Sequence, residues 1–233
     1  MTILDVYLEA VPEPIGKLSA ARDGTMSFAY TANAIPHPVS MSMPIREEPY
    51  GDVATRGFFS NLLFENEMRD QVMQRHGIAE RDIVGLLFHL GADCPGAISC
   101  VPEGAPPGKR PGRLEVDYGA LDGSPVLAGT LSAVTDPLPV GGSLAEIMAS
   151  LRDHRRLPPQ TEDPSPLAGV QGKIALTRLP DGRLGLPMPG SGAPTTHILK
   201  VPRAAAMTSV LREHIATRLM AQAQAHPVAE TCV

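Results

Sequence analysis

A glycine-containing segment followed by strand-like runs, the last of which ends on a lysine, most constrains what this chain can fold into. The segment Ser165-Pro-Leu-Ala-Gly-Val-Gln-Gly-Lys173 comes first, and Thr195-Thr-His-Ile-Leu-Lys200 comes last. Between them, Pro180-Asp-Gly182 has the residues of a tight turn. Glycine lets backbone N–H groups approach an anion closely, and a lysine adds positive charge. This order predicts a twisted antiparallel sheet whose loop faces phosphate groups.

A phosphate-binding loop alone does not transfer phosphoryl groups. Transfer also needs side chains, commonly Asp and Asn, that hold Mg²⁺ and orient the attacking hydroxyl. No Asp follows Asp181 in this sequence, and no Asn follows Asn66. We therefore expect no catalytic residue here and no phosphoryl transfer by the chain alone. Most glycine-containing loops are simple turns, so the prediction of a phosphate site depends on the residues that accompany the loop.

Charge and cysteine content argue against several other classes of protein. The 233 residues carry a net charge of −5 at pH 7, which predicts no direct nucleic-acid partner. The three cysteines, with His89 nearby, lack the spacing of a zinc site, so we expect no metal bound by this chain. The cysteines are odd in number and none stands in a C-x-x-C pair, which argues against a disulfide framework and fits a reducing cytoplasm. No apolar run approaches the roughly 18 residues that span a bilayer. We expect a cytoplasmic protein with no membrane partner.

The sequence pattern divides the chain into three parts and predicts an α+β protein. Residues 1–104 have the pattern of a small mixed β-sheet with helices, and residues 105–159 that of a connecting region with one helix. Residues 160–233 correspond to the twisted antiparallel sheet and one helix. Helices are predicted at four places, over 58–77, over 80–90, from Ser143 onward and over 206–225.

Two sets of short motifs run through nearly the whole chain. In the front part they are Ser40-Met-Ser-Met-Pro44, Phe58-Phe-Ser-Asn-Leu-Leu63, Arg69 and Leu90-Gly-Ala-Asp-Cys-Pro-Gly-Ala97. In the second part they are Leu167-Ala-Gly-Val-Gln-Gly-Lys173, Thr195-Thr-His-Ile-Leu-Lys200 and Arg212-Glu213. In order and spacing they resemble the HipA family, the serine/threonine-kinase toxins of bacterial toxin–antitoxin pairs. A full-length member is much longer and has a helical second lobe, for which we find no counterpart in this sequence.

The resemblance implies roles for particular residues. Lys200 would contact the phosphates of ATP, which the complete enzyme binds with magnesium, and Glu213 would pair with Lys200. The loop would cover the phosphates with Ala168, Gly169, Val170, Gln171, Gly172 and Lys173. Since one lobe supplies only half of a cleft, we expect weak or no ATP binding by the chain alone.

Two positions depart from the family pattern. The family autophosphorylates a serine two residues before the Ala-Gly pair, but here that position is Pro166 and Ser165 lies one residue further out. Ser165 is therefore a candidate autophosphorylation site whose position is shifted by one residue. The family often has Pro-Glu-Gly after the Leu-Leu pair, and here Phe64-Glu-Asn66 takes its place.

Two hypotheses about function follow from the resemblance. In the first, the chain is the N-terminal part of a HipA-like kinase and supplies the phosphate side of the ATP cleft and the antitoxin-binding domain. In the second, it is a non-catalytic interaction module that binds a separate kinase C-lobe or a HipB-like helix-turn-helix antitoxin.

Overall fold

The computed structural model describes most of the chain as two antiparallel sheets with helices packed beside them. The described residues are 1–9, 11–31, 36–107, 131–133, 144–159, 161, 163–169, 171–178, 184–187, 195–223, 228–229 and 231. The α+β prediction is confirmed. The predicted turn at 180–182 and the start of a helix at Ser143 lie outside the described residues.

The front sheet has four strands in the order β3-β2-β1-β4. They are β1 (Thr2–Leu8), β2 (Gly16–Ala20), β3 (Met26–Tyr30) and β4 (Ile98–Pro102). Each neighbouring pair is antiparallel, so the expectation of a mixed sheet is wrong. Consecutive strands that are joined by short turns pair antiparallel. The strand β4, which follows the helices, also pairs antiparallel with β1.

Three helices follow β3 in the front part, where the sequence predicted two. They are α1 (Asp52–Phe59), α2 (Asn66–His76) and α3 (Ile83–Leu90). The single helix predicted over 58–77 is wrong because the chain is extended at Leu63, with ψ at 167°. Leu62, Leu63 and Phe64 are all buried, whereas a continuous helix would point consecutive side chains in different directions.

Residue chemistry explains where these helices begin and end. Gly77 ends α2 in the left-handed region, with φ at 65°, as the sequence predicts for a C-terminal glycine. Asp82 caps α3, since its side chain accepts a hydrogen bond of 2.7 Å from the N–H of Gly85. That cap explains why α3 begins at Ile83 and not at residue 80.

Gly91 follows α3, at a position where a glycine commonly ends a helix in the left-handed conformation. It does not end the helix in a left-handed conformation, because its φ is −69° and a short 3₁₀ turn, Gly91–Asp93, continues from it. A Cβ at Gly91 would collide with the carbonyl oxygen of Cys100 on β4 and lie 2.9 Å from the Cys100 Cβ. Glycine is required here because helix and strand backbones approach each other closely.

The second sheet has the order β5-β7-β6-β8, and its named pairs are all antiparallel. Its strands are β5 (Leu131–Ala133), β6 (Gly172–Arg178), β7 (Leu184–Pro187) and β8 (His197–Val201). The helix α4 (Leu144–His154) packs beside β6 and β8 with Ile147 and Leu151 buried. These two residues belong to the same apolar cluster as Ile174 of β6 and Phe28 of the front sheet. A continuous core therefore joins the two sheets.

Polar contacts from α2 reinforce this junction. The side-chain amide of Gln71 donates to the carbonyl of Leu157 at 2.8 Å and accepts from the Leu157 N–H at 3.0 Å. The guanidinium of Arg75 donates to the carbonyls of Thr161, at 3.0 Å, and Pro159, at 3.2 Å. Side chains of one helix thereby satisfy backbone groups of the connecting segment, which would otherwise be costly to bury.

The helix α5 (Met207–Ala223) follows β8, and none of its residues is buried. Leu211, Ile215 and Leu219 recur every four residues along this helix, and their side chains are 46%, 56% and 60% exposed. Met207, one turn before Leu211, is 53% exposed. Within the described part of the chain, this apolar row lies outside the core.

Adding a methyl group at Gly91 tests the close approach of α3 to β4. Gly91→Ala should lower the free energy of unfolding by about 1–3 kcal/mol, because the methyl group overlaps Cys100. Gly57→Ala is the matched control, since Gly57 lies within α1 and a methyl group there would meet no atom within 4 Å. It should raise that free energy by about 0.5–1 kcal/mol. Urea unfolding followed by circular dichroism measures both changes, and equal effects of the two substitutions would contradict the packing described.

Candidate functional site

The glycine-containing loop lies between the front domain and β6. Gly169 has φ at +109°, a conformation that residues with a Cβ rarely adopt. Gly172 is not a loop residue, because it begins β6 opposite Val201. A Cβ there would lie 3.1 Å from the carbonyl oxygen of Leu151 on α4, so Gly172 allows close packing of helix and strand. Gln171 precedes β6, and Val170 lies outside the described residues.

Lys173 and Lys200 lie directly opposite each other on neighbouring strands. The antiparallel register of β6 and β8 pairs Lys173 with Lys200. Residues opposite each other in such a pair project from the same face of the sheet. The register therefore places two ammonium groups on one face, which the spacing of the motifs alone did not show.

Lys200 forms an ion pair with Glu213 of α5, as the sequence analysis predicted. The two side chains are 36% and 48% exposed, so the pair contributes little to stability. Its structural effect is to connect β8 to α5, a helix with no buried residue.

The loop folds back over Lys173. The Lys173 ammonium donates to the carbonyl oxygen of Ala168, and a Cβ at Gly169 would lie 2.6 Å from the Lys173 Nζ. Any side chain at position 169 would therefore compete with the amino group for the same space. Glycine at position 169 therefore permits both the positive φ and the close contact with Lys173.

The environment of Lys173 lowers the pKa of its ammonium group below the ordinary value for lysine. Partial burial is the largest cause, and the positive charge of Lys200 is the next. The carboxylates of Glu65 and Glu213 act in the opposite direction and raise this pKa. Lys173 thus lies among two anionic side chains and one cationic side chain.

A shallow cleft that is open to solvent lies between the loop and the start of α2. Its lining includes Glu65, Glu67, Arg155, Gly169 and Lys173. The N–H of Gly169 donates a hydrogen bond of 2.9 Å to the carboxylate of Glu65. Nothing in the sequence identifies Glu65 as a site residue, because an exposed glutamate 104 positions from Gly169 gives no signal of this contact.

Ser165 contacts the front domain. Its hydroxyl donates to the carboxylate of Asp93, which lies in the short 3₁₀ turn after α3. A phosphate on Ser165 would place two negative groups together at this contact.

Two features bear on other classes of site. Among the residues that the structure describes, no group of three or more His, Cys, Asp and Glu side chains could hold a metal ion. No helix in the same residues has the length and apolar character needed to cross a bilayer.

Comparisons with known proteins link this architecture to one family. Residues 4–101 match the family model of the HipA N-terminal domain. "Putative kinase Y4mE" of Sinorhizobium fredii is 32% identical over 212 residues, which cover 89% of this chain and 45% of that protein. "Putative kinase Y4dM" of the same organism is 31% identical over 134 residues, which cover 52% of this chain and 32% of that protein.

A solved structure shares the fold. HipA of Shewanella oneidensis MR-1, in a complex with HipB and its operator DNA, superposes with a TM-score of 0.60 at 23% identity. The match covers 93% of this chain and 44% of that chain. This chain therefore spans less than half the length of these relatives.

Replacing Lys200 tests the electrostatic coupling of the two lysines. Lys200→Ala should raise the pKa of Lys173, because the neighbouring positive charge that lowers it is removed. Lys200→Arg keeps the charge and should leave the pKa of Lys173 low. An NMR titration of ¹³C-dimethylated lysines measures both values, and an unchanged pKa of Lys173 in Lys200→Ala would contradict the facing arrangement.

Proposed function

Because this chain belongs to the HipA family, we propose that it is the front part of a HipA-like serine/threonine protein kinase. In this role it supplies the phosphate side of an ATP cleft and a domain that binds a partner protein. The observation that carries the proposal is the ion pair between Lys200 and Glu213, with Lys173 opposite Lys200 and the glycine-containing loop folded over Lys173.

The residues present fit the phosphates of ATP. Lys173 and Lys200 supply two positive charges on one sheet face, and Gly169 brings a backbone N–H close to Lys173. Glu213 orients Lys200, as a helix glutamate does in kinase folds. ATP bound with magnesium would supply the phosphoryl group, and these residues would hold its phosphate oxygens in position.

The groups that carry out the transfer would come from a second lobe. No Asp follows Asp181 in this sequence, so the aspartates that hold magnesium and accept the hydroxyl proton in kinase folds have no candidate after β8. The relatives are more than twice as long as the part matched here, which leaves ample length for such a lobe. We expect no phosphoryl transfer by this chain alone, and weak binding of ATP that is detectable only near millimolar concentration.

A second function is favoured by the exposed apolar row on α5. Met207, Leu211, Ile215 and Leu219 are each about half exposed, and an apolar row of this kind commonly marks a binding surface. A non-catalytic module would use this row to bind a separate kinase C-lobe, or use the front domain to bind a HipB-like helix-turn-helix antitoxin. The assembly of the Shewanella HipA with HipB supports the antitoxin as a partner class.

Two expectations stay predictions, namely that the chain has no direct nucleic-acid partner and that it is cytoplasmic. The related complex also contains operator DNA, so the expected lack of direct nucleic-acid contact is not established by it. A cytoplasmic location agrees with a kinase that binds a DNA-binding antitoxin.

Saturation-transfer NMR with magnesium-ATP tests the proposed function. The purified chain should give a weak signal that corresponds to a dissociation constant of about 1 mM or higher, because the residues described here form only one side of the cleft. Lys200→Ala should remove most of the signal, whereas Arg22→Ala should not change it, since Arg22 is an exposed residue of the front domain far from Lys200 in the sequence.

Three results would contradict the kinase proposal. They are a signal that Lys200→Ala leaves unchanged, a complete lack of signal, and transfer of labelled phosphate to protein by the chain alone. Retention of a helix-turn-helix antitoxin on the purified chain without any ATP signal would favour the non-catalytic module.

A further inference from the structure

The side chain of Glu65 accepts a hydrogen bond from a distant loop and not from the helix that it precedes. Glu65 occupies the position before the first residue of α2, where a side chain commonly accepts a hydrogen bond from the helix itself. Here it makes no such bond. Its carboxylate accepts instead from the N–H of Gly169, and the two residues are 104 positions apart.

This contact uses a donor that a phosphate group would need. A backbone N–H at a glycine with positive φ is the kind of group that binds phosphate oxygens in glycine-containing loops. A carboxylate oxygen and a phosphate oxygen are both anionic acceptors, and each forms strong hydrogen bonds of the same geometry. One N–H cannot donate a linear hydrogen bond to both at once.

Lys173 of β6 also lies beside the loop and near Glu65. The Lys173 ammonium donates to Ala168 within the loop, and the negative charge of Glu65 raises the pKa of Lys173. Lys173 and Gly169 line the cleft that also contains Glu65. The front domain thus places an anion beside the Gly169 N–H and the Lys173 ammonium.

We propose that Glu65 is an internal competitor for phosphate at Gly169 and Lys173, through which the front domain lowers the affinity of the loop for nucleotide. This inference rests on the proposed function. Binding of ATP would require Glu65 to leave the Gly169 N–H. Since Glu65 is an exposed residue, its carboxylate could then be hydrated by water.

Titration of the chain with magnesium-ATP, followed by NMR, tests the proposal with matched variants. Glu65→Gln keeps the shape and removes the charge, and Glu65→Ala also removes the acceptor. Each should bind ATP about three- to tenfold more tightly than the unaltered chain, an effect typical of losing one exposed, charged hydrogen-bond competitor. Glu67→Gln is the matched control, because it removes a negative charge from the same cleft but leaves the contact of Glu65 with Gly169 intact. Its increase in affinity for ATP should be less than half of that of Glu65→Gln.

A second readout does not depend on ATP. In Glu65→Gln the pKa of Lys173 should fall, because a carboxylate that raises it is removed, and the amide proton of Gly169 should change its chemical shift. A purely structural role of Glu65 would leave the affinity for ATP unchanged even if the variant changes these two signals.

The possible outcomes separate this inference from the proposed function. Equal gains in Glu65→Gln and Glu67→Gln would overturn the inference, because charge alone would then explain the effect. Unchanged affinity in both Glu65 variants, with weaker binding in Lys200→Ala, would overturn it and leave the proposed function standing. Binding that neither Glu65 nor Lys200 affects, or no binding in any variant, would overturn both.

Discussion

The attachment of α2 to the segment between α4 and β6 is the constraint on which the rest of the structure depends. The side-chain amide of Gln71 forms hydrogen bonds with both the N–H and the carbonyl of Leu157, as a neighbouring β-strand would. Arg75 and His76, at the end of the same helix, bind the carboxylate of Asp163, whose side chain is only 13% exposed. Breaking this attachment would leave several partly buried polar groups without partners, which costs more than the contacts themselves contribute.

The same helix also positions the candidate site. Its end fixes the segment that leads into the loop, and the residue before its start, Glu65, contacts Gly169. On the far side of the loop, the register of β6 and β8 places Lys173 beside Lys200, and Glu213 orients Lys200. The front domain is therefore part of the arrangement that presents the phosphate-facing groups, and its removal would change the loop as well as any partner surface.

Local patterns predicted the parts of the fold that depend on neighbours in sequence. The strand that contains Lys200 and the end of α2 at Gly77 are confirmed, because a strand-like run and a glycine cap are encoded locally. The pairing of Lys200 with Glu213, which the resemblance to the HipA family implied, is present as well. The break at Leu63 was missed, since three consecutive apolar residues fit a helix or an extended segment equally well. Glu65 and Gln71 were missed because charged and amide side chains on helices commonly face water, and their partners lie far along the chain.

Native-state hydrogen exchange of the whole chain tests most directly whether the front domain and the second sheet form one unit. We predict that Gln71→Ala lowers the exchange protection of β1 and β6 amides by the same free energy, because the loss of its contacts with Leu157 destabilises both sheets together. Gln74→Ala, an exposed position on the same helix, should lower neither. Protection of β6 that stays unchanged in Gln71→Ala while that of β1 falls would contradict the account.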